Sequence, residues 1–145
     1  MTGSVETFSI RAFRSADRAE LEALWARVFP DDPPMNAPAK LLARKLTVQP
    51  ELLLVGVVDE RLVASVIAGF EGVRGWINHL AVLPEWRRRG FATELVRAAE
   101  TGLRALGCPK VNLQVRATNR GVIAFYESLG YAVEDRISMG RKLEG

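Results

Sequence analysis

The sequence predicts a single mixed α/β domain over residues 1–145, and three observations support this fold class. Segments in which apolar residues alternate are interspersed with segments in which they recur at helical spacing. Two of the alternating segments, Leu52–Val58 and Leu62–Phe70, are separated by a short acidic turn that contains Asp59 and Glu60, which is typical of an antiparallel hairpin. A chain of 145 residues suits one hydrophobic core, and no repeat or low-complexity tract interrupts it.

The N-terminal part of the chain predicts a strand followed by two helices. Residues Thr7–Phe13 alternate as a strand, and Asp17 with Glu20 forms a capping-box pattern that begins the first helix. The apolar residues of this helix recur at helical spacing: Leu21, Leu24, Trp25 and Val28. The segment Pro30–Pro38 predicts a stiff loop, because proline stops the helix. A second short helix is then indicated by Leu41, Leu42, Lys45 and Leu46.

The C-terminal part predicts two further helices among four strands. Trp76–Leu83 predicts the fourth strand, and the helix after it has the most regular apolar stripe in the chain: Ala92, Leu95, Val96, Ala99, Leu103 and Leu106. Val111–Val115 predicts a fifth strand, and Asn119 caps a fourth helix that carries Val122, Phe125, Tyr126 and Leu129. Tyr131–Val133 and Ile137–Leu143 predict the last two strands.

Composition excludes several classes of protein. Hydrophobic residues make up 48% of the chain and charged residues 26%, and no apolar run reaches the roughly 18 residues of a membrane span. The N-terminus lacks a signal-peptide pattern, so we expect a cytoplasmic protein without membrane association. The formal charge of +3 comes without a broad basic face, which argues against nucleic-acid binding. One cysteine, Cys108, and one histidine leave no basis for a disulfide or a metal site.

The turn between the fourth strand and the third helix carries three consecutive arginines, Arg87–Arg89. Cations at a helix N-terminus are unfavourable by a few tenths of a kcal/mol each, because the helix dipole is positive there. A bound anion reverses this effect, since backbone N–H groups, dipole and guanidinium groups all attract it. The turn therefore predicts a phosphate or pyrophosphate site.

The spacing Arg87-x-x-Gly90-x-Ala92 resembles the R/Q-x-x-G-x-G/A signature of the GCN5-related N-acetyltransferases, and differs from a P-loop or a dinucleotide fingerprint. The family's second signature, N-x-x-A-x-x-x-Y-x-x-x-G-F/Y, resembles the segment Asn119–Tyr131, about 30 residues further on. The order of predicted elements is also similar to this family's. The resemblance implies a mixed, mostly antiparallel sheet of about seven strands, flanked by four helices and splayed between strands 4 and 5.

The resemblance implies acetyl-CoA as cosubstrate and no metal. Pantetheine would contact the fourth strand through its backbone, and the pyrophosphate would rest on the amides that begin the third helix. The implied cofactor-binding residues are Leu80, Ala81, Val82, Arg87, Arg88, Arg89, Gly90, Phe91, Ala92, Thr93, Asn119 and Tyr126.

The resemblance also implies two catalytic groups. The Leu80 N–H would stabilise the negative charge on the thioester carbonyl oxygen, and Tyr126 would protonate the departing thiolate. Tyr126 also lies on the apolar stripe of its helix, so a core aromatic with a structural hydroxyl is the alternative.

The general base is less defined. Some family members carry a glutamate where this chain has Gln114, which cannot accept a proton. His79 is the only histidine and adjoins Leu80, although strand alternation predicts that its side chain faces away from Asn78 and Leu80. A structural histidine is the alternative to a base at this position. A water chain, Glu71 or Glu85 are the other candidates.

The predicted activity is transfer of an acetyl group from acetyl-CoA to a primary amine, in a small molecule or a peptide N-terminus or lysine. The segments expected to wall the acceptor side, Pro30–Pro38 and Glu134–Arg136, carry acidic residues that would suit a cationic amine. The alternative is a catalytically weak acyl-CoA-binding sensor or partner module. We expect a monomer or a homodimer.

Overall fold

The computed structural model describes residues 7–144, which form two compact units that meet in sequence between Gln114 and Val115. The first unit contains five strands and three α-helices: β1 (Phe8–Ala12), α1 (Arg18–Val28), α2 (Pro38–Lys45), β2 (Leu53–Val58), β3 (Arg61–Phe70), β4 (Gly75–Val82), α3 (Phe91–Ala105) and β5 (Val111–Leu113). The second unit contains α4 (Arg120–Ser128). All four predicted helices are therefore present in the described part of the chain.

The five strands form one sheet in the order β1-β2-β3-β4-β5. Neighbouring strands are antiparallel except β4 and β5, which are parallel. The parallel ladder runs from the pair Gly75–Val111 to the pair Ile77–Leu113, whereas β4 continues to Val82. The mixed, mostly antiparallel sheet is confirmed, and strands 4 and 5 pair only over the first part of β4.

The strand count differs from the prediction of about seven. The segments Tyr131–Val133 and Ile137–Leu143 are not strands in the described residues. Apolar alternation gives a segment the pattern of a strand, but a strand is stable only when it pairs and packs. In this segment the apolar side chains are largely exposed: Val133, Ile137, Met139 and Leu143.

The start of the first helix also differs from its prediction. A 3₁₀ turn precedes α1, and the Asp17 carboxylate accepts hydrogen bonds from Arg11 and from the Arg14 N–H instead of capping α1. Glu20 accepts a hydrogen bond from the Leu62 N–H, at 3.0 Å. Both carboxylates of the predicted capping box thus accept hydrogen bonds from groups other than the first N–H groups of α1. The local sequence does not reveal these partners.

Helices cover both faces of the sheet. Apolar side chains of α1 and α2 pack against one face, where the indole Nε1 of Trp25 donates to the buried hydroxyl of Ser65 at 3.0 Å. On β2, Val55 belongs to this face, so the adjacent Gly56 belongs to the other. There Phe8 of β1 stacks on Phe91 of α3, with ring centroids 3.9 Å apart. The start of α3 is therefore fixed by packing as well as by the turn before it.

We expect Gly56→Ala to destabilise the protein by about 1–3 kcal/mol, the usual cost of overpacking. A Cβ at Gly56 would lie 2.5 Å from the ring of Phe8, which would have to leave its stack on Phe91. Thermal unfolding measures the effect, and Gly69→Ala is the matched control in β3, because a Cβ there meets no atom closer than 3.5 Å. Equal melting temperatures for the two variants would contradict this account.

Candidate active site

The arginine-rich turn gives α3 an N-terminus that no side chain caps. A 3₁₀ turn at Pro84–Trp86 follows β4, and Gly90 is the N-cap residue of α3, with φ of 81°. Arg88 also has positive φ, at 65°. A Cβ at Gly90 would meet no atom within 4 Å, so the space in front of the helix is open. Uncapped amides, open space and nearby cations together fit a phosphate group.

The three arginines of the turn have different surroundings. The Nε of Arg87 donates to the carbonyl oxygen of Val82 at 3.0 Å, which ties the turn to the end of β4. The guanidinium of Arg89 lies 4.6 Å from the centroid of the Trp86 ring, a cation–π contact. Arg88 is exposed. Arg88 and Arg89 thus border the open space, while Arg87 positions the turn.

Several residues predicted to bind the cofactor have side chains that are wholly or partly buried. Phe91, Ala81 and Val82 have buried side chains, whereas Leu80, Ala92 and Thr93 are half-buried. The implied role of main-chain groups in this region stays a prediction.

A β-bulge interrupts β4 at His79 and Leu80. Ile67 of β3 pairs with Asn78, and Ser65 pairs with Ala81, so Val66 alone stands opposite two residues. His79 has φ of 49°, in the left-handed region that non-glycine residues seldom adopt. Strand alternation fails at a bulge, and His79 lines the same cleft as Asn78. The prediction that these two side chains face opposite sides is therefore wrong.

The imidazole of His79 is held on several sides. Its Nε2 lies 2.8 Å from the Asp32 carboxylate, and its ring makes edge contacts with Phe29 and Trp25, at centroid distances of 4.6 and 5.9 Å. Because an ionised carboxylate only accepts hydrogen bonds, neutral His79 places its proton on Nε2 and its lone pair on Nδ1. The arrangement has the geometry of a base oriented by a carboxylate.

The cleft beside His79 has a volume of about 370 Å³. Its apolar walls are Leu41, Val48 and Ile67, and its polar walls are Asn36, Arg44, Lys45, Asn78 and His79. The Pro30–Pro38 loop contributes Asn36 to the lining, while Asp32 is engaged by His79. The Pro30–Pro38 loop is expected from its sequence to give the acceptor side an acidic wall. The wall of this cleft instead contains two cations of α2, Arg44 and Lys45.

Lys45 is the most unusual group in the cleft. It is only 8% exposed, and its Nζ donates to the carbonyl oxygen of Ala68 at 2.6 Å. Burial lowers the pKa of Lys45, although the charge of Glu51 acts in the opposite direction.

The other two carboxylates considered as bases are engaged elsewhere. Glu85 forms an exposed ion pair with Arg27, at 2.9 Å, and Glu71 accepts hydrogen bonds from the N–H groups of Val73 and Arg74. Neither lines the cleft. His79 is thus the better placed candidate.

The second unit contains the remaining two predicted site residues. The Oδ1 of Asn119 accepts a hydrogen bond from the Val122 N–H at 3.2 Å, which confirms the predicted cap of α4. Tyr126 is buried in edge contact with Phe125 and Tyr131, and burial raises the pKa of its phenol to about 12. The phenol therefore keeps its proton at neutral pH, as an acid must.

Sequence reasoning missed the contributions of Asp32, Arg44 and Lys45. The sequence did hold a signal that Lys45 is buried, because this lysine falls among the apolar positions of its helix. The pairing of Asp32 with His79 gave none, since 47 residues separate them.

Residues 7–144 contain neither a cluster of metal ligands nor a membrane-spanning helix. No three His, Cys, Asp or Glu side chains cluster there as metal ligands would. Within the same residues, every helix is too short or too polar to cross a bilayer.

In this sheet the parallel strands β4 and β5 pair only in part, and an uncapped, arginine-rich helix N-terminus lies between them in sequence. This arrangement is the one expected of acyl-CoA-dependent transferases. The family model described as Acetyltransferase (GNAT) family matches residues 13–131. The chain belongs to the GNAT family and is an acetyltransferase that uses acetyl-CoA.

Individual relatives agree with this assignment. Acetyltransferase YE1169 of Yersinia enterocolitica is 42% identical over 136 residues, which cover 92% of this chain and 94% of that protein. Two solved structures share the fold. AAC(6')-Iy in complex with the bisubstrate analog CoA-S-monomethyl-acetylneamine has a TM-score of 0.80 at 18% identity, over 94% of this chain and 98% of that one. PaiA N-acetyltransferase from Thermoplasma acidophilum, in complex with coenzyme A, has a TM-score of 0.77 at 20% identity, over 90% and 93%.

Proposed function

We propose that this protein transfers the acetyl group of acetyl-CoA to the nitrogen of a primary amine by direct attack in a ternary complex. The observation that carries the proposal is the bulge in β4, which places His79 in a cleft and the Leu80 backbone next to it, just past the end of the parallel ladder. The candidate base His79 and the N–H of Leu80 are therefore neighbours at the point where β4 continues beyond its pairing with β5.

The cosubstrate would be held mainly by backbone groups. Leu80, Ala81 and Val82 would contact its amide-bearing arm beyond the parallel ladder, where β4 continues without β5. The amides from Arg88 to Thr93 would hold the pyrophosphate, with the guanidinium groups of the turn adding charge. Asn119 would contact the cosubstrate through the part of its amide that does not cap α4.

The chemical step needs one group to remove a proton and another to supply one. An amine with an ordinary pKa near 10 is mostly protonated at neutral pH, so it must lose a proton before it attacks. His79 would accept that proton on Nδ1, while Asp32 holds the ring through Nε2. The Leu80 N–H would stabilise charge on the acetyl oxygen, and Tyr126 would protonate the departing thiolate.

We also propose that residues 1–145 act as one N-acetyltransferase domain. The family match runs from residue 13 to residue 131, and so it includes sequence from both compact units. The acceptor would be a small molecule or a peptidyl amine. The solved complex of AAC(6')-Iy with an acetylated aminoglycoside analog supports an amine acceptor in general.

Thiol release from acetyl-CoA in the presence of a panel of primary amines tests the proposal. Amine-dependent release, with the N-acetyl product identified by mass spectrometry, would support an enzyme of this class. Tight acetyl-CoA binding without release for any amine would instead favour an acyl-CoA-binding module.

We expect Tyr126→Phe to lower kcat by about 100-fold while leaving acetyl-CoA affinity nearly unchanged. A thiolate leaves fairly easily, so its protonation contributes the lower part of the usual range for acid catalysis. Because the pKa of Tyr126 is about 12, the wild-type rate should not fall on the alkaline side through loss of this proton. Steady-state kinetics and calorimetry give the two quantities, and Tyr131→Phe is the aromatic control. Equal turnover in wild type and Tyr126→Phe would remove the phenol from the mechanism.

A further inference from the structure

The cleft beside His79 contains a buried cation that no carboxylate of the described residues contacts directly. Lys45 is 8% exposed, and it forms no ion pair within residues 7–144. Its one hydrogen bond goes to the Ala68 carbonyl oxygen, although an ammonium group has three N–H donors. Burying a charge is costly unless a partner is present, so this group is suited to a ligand that carries negative charge.

The hydrogen bond to Ala68 has a structural purpose, but it does not require a lysine. The β2–β3 ladder ends at the pair Leu53–Ile67, so the edge of β3 beyond Ile67 lacks a strand partner on that side. Lys45 meets the carbonyl of Ala68 there, and the amide of Gln49 bonds both backbone groups of Phe70. Gln49 shows that a neutral amide can satisfy this edge, whereas Lys45 adds a charge that the edge does not need.

A second cation stands next to Lys45 in the same wall. Arg44 donates to the carbonyl oxygen of Met35 and to Oδ1 of Asn36, both at 2.7 Å, and forms no ion pair in the described part of the chain. These two bonds fix the guanidinium at the cleft without neutralising it. Arg44 and Lys45 therefore give one part of the cleft a double positive charge.

The remaining polar part of the cleft has the opposite character. His79, bonded to the Asp32 carboxylate, can take a proton from an ammonium group, and the carboxylate attracts that group. A ligand with an ammonium group and an anionic group separated by a short chain would satisfy both parts. A volume of about 370 Å³ lies within the range of small-molecule sites, roughly 300–1,000 Å³.

We propose that the acceptor of this acetyltransferase is a small amine that also carries an anionic group, a carboxylate or a phosphate, and that Arg44 and Lys45 bind that group. The inference rests on the proposed function, since it assigns the acceptor of the same site. It replaces the sequence-based expectation of a cationic acceptor, because the cleft walls carry two cations from α2 and the Asp32 carboxylate is used by His79.

Matched pairs of acceptors that differ only in the anionic group test the proposal. We would compare ethanolamine phosphate with ethanolamine, and an amino acid with its carboxamide, as kcat/KM per unprotonated amine. A charge-assisted contact is worth about 10- to 100-fold in binding, so one anionic member should exceed its neutral partner by at least about 10-fold. The two pairs distinguish phosphate from carboxylate. Equal values in both pairs, or a preference for a polyamine or an aminoglycoside, would overturn the proposal.

Variants of α2 locate the effect. Arg44→Gln and Lys45→Gln should each reduce the ratio of anionic to neutral acceptor by about 10-fold, through KM. Glutamine at position 45 still offers an N–H to Ala68, and Arg44 is exposed, so at least the latter variant should fold. The matched control is Lys40→Gln, which removes an exposed charge from the same helix outside the cleft. Unchanged ratios in both cleft variants would show that these cations do not bind the acceptor.

Calorimetry separates failure of this inference from failure of the proposed function. If no amine is acetylated, the proposed function fails, but ethanolamine phosphate and the amino acid can still be titrated into the complex with CoA. Binding of one of them that weakens about 10-fold in Arg44→Gln would support an anion site in the cleft. No detectable binding of either at millimolar concentration would contradict it.

Discussion

Replacing Gly90 with aspartate is expected to weaken acetyl-CoA binding by at least about 100-fold. Gly90 is the N-cap residue of α3, and its missing side chain leaves open space in front of the helix. An aspartate would place a carboxylate where the cosubstrate's phosphates are expected. Like charges about 4 Å apart near a protein surface repel by up to about 4 kcal/mol, which corresponds to several hundred-fold in affinity. Calorimetric titration with acetyl-CoA measures the loss.

The chain offers a close control for backbone strain. Gly107 follows the other end of α3, has φ of 83° against 81° for Gly90, and would likewise place a Cβ in open space. Gly107→Asp should therefore cost similar stability but leave acetyl-CoA affinity within about 2-fold, because strain at a positive φ is a property of the backbone. If both variants lost affinity equally, unfolding rather than phosphate repulsion would explain the result. Unchanged affinity in Gly90→Asp would remove the phosphate site from this turn.

His79→Gln is expected to lower kcat by about 1,000-fold at neutral pH, within the range for loss of a general base. Glutamine can keep a hydrogen bond to Asp32 but cannot accept a proton from the amine. The residual rate should rise with pH as the amine itself deprotonates. Affinity for acetyl-CoA should be retained, because the side chain faces the acceptor cleft.

Two carboxylate variants refine this test. Asp32→Asn should lower kcat by about 10-fold, because it removes the charge that orients the imidazole and stabilises its protonated form. Asp31→Asn, at the exposed neighbouring position, should have no effect. A kcat for His79→Gln equal to that of wild type would assign the base to another group.

The arginine-rich turn before α3 is predictable because its determinants are local in sequence. A strand, an arginine-rich turn with Gly90 and an amphipathic helix follow one another directly, and each rests on spacing within a few residues. The bounds of α3, predicted to carry its stripe from Ala92 to Leu106, agree closely with Phe91–Ala105. The cap of α4 by Asn119 is predictable for the same reason.

The cleft beside His79 is different, because its residues come from distant parts of the chain. Asp32 meets His79 across 47 residues, and Lys45 meets Ala68 across 23. The bulge in β4 adds one residue to one strand, which turns His79 to the side that alternation excludes. The acidic composition of the Pro30–Pro38 loop does not show that the Asp32 carboxylate is already bonded to His79.

The sequence by itself determined the family, the order of helices and strands, and the place where acetyl-CoA phosphates are expected, since all of these depend on short-range periodicity and spacing. Tertiary structure decided the pairing of His79 with Asp32, the burial of Lys45 and the positive charge beside the candidate base. These features depend on which side chains are brought together across the sheet and α2, and burial there lowers the pKa of Lys45.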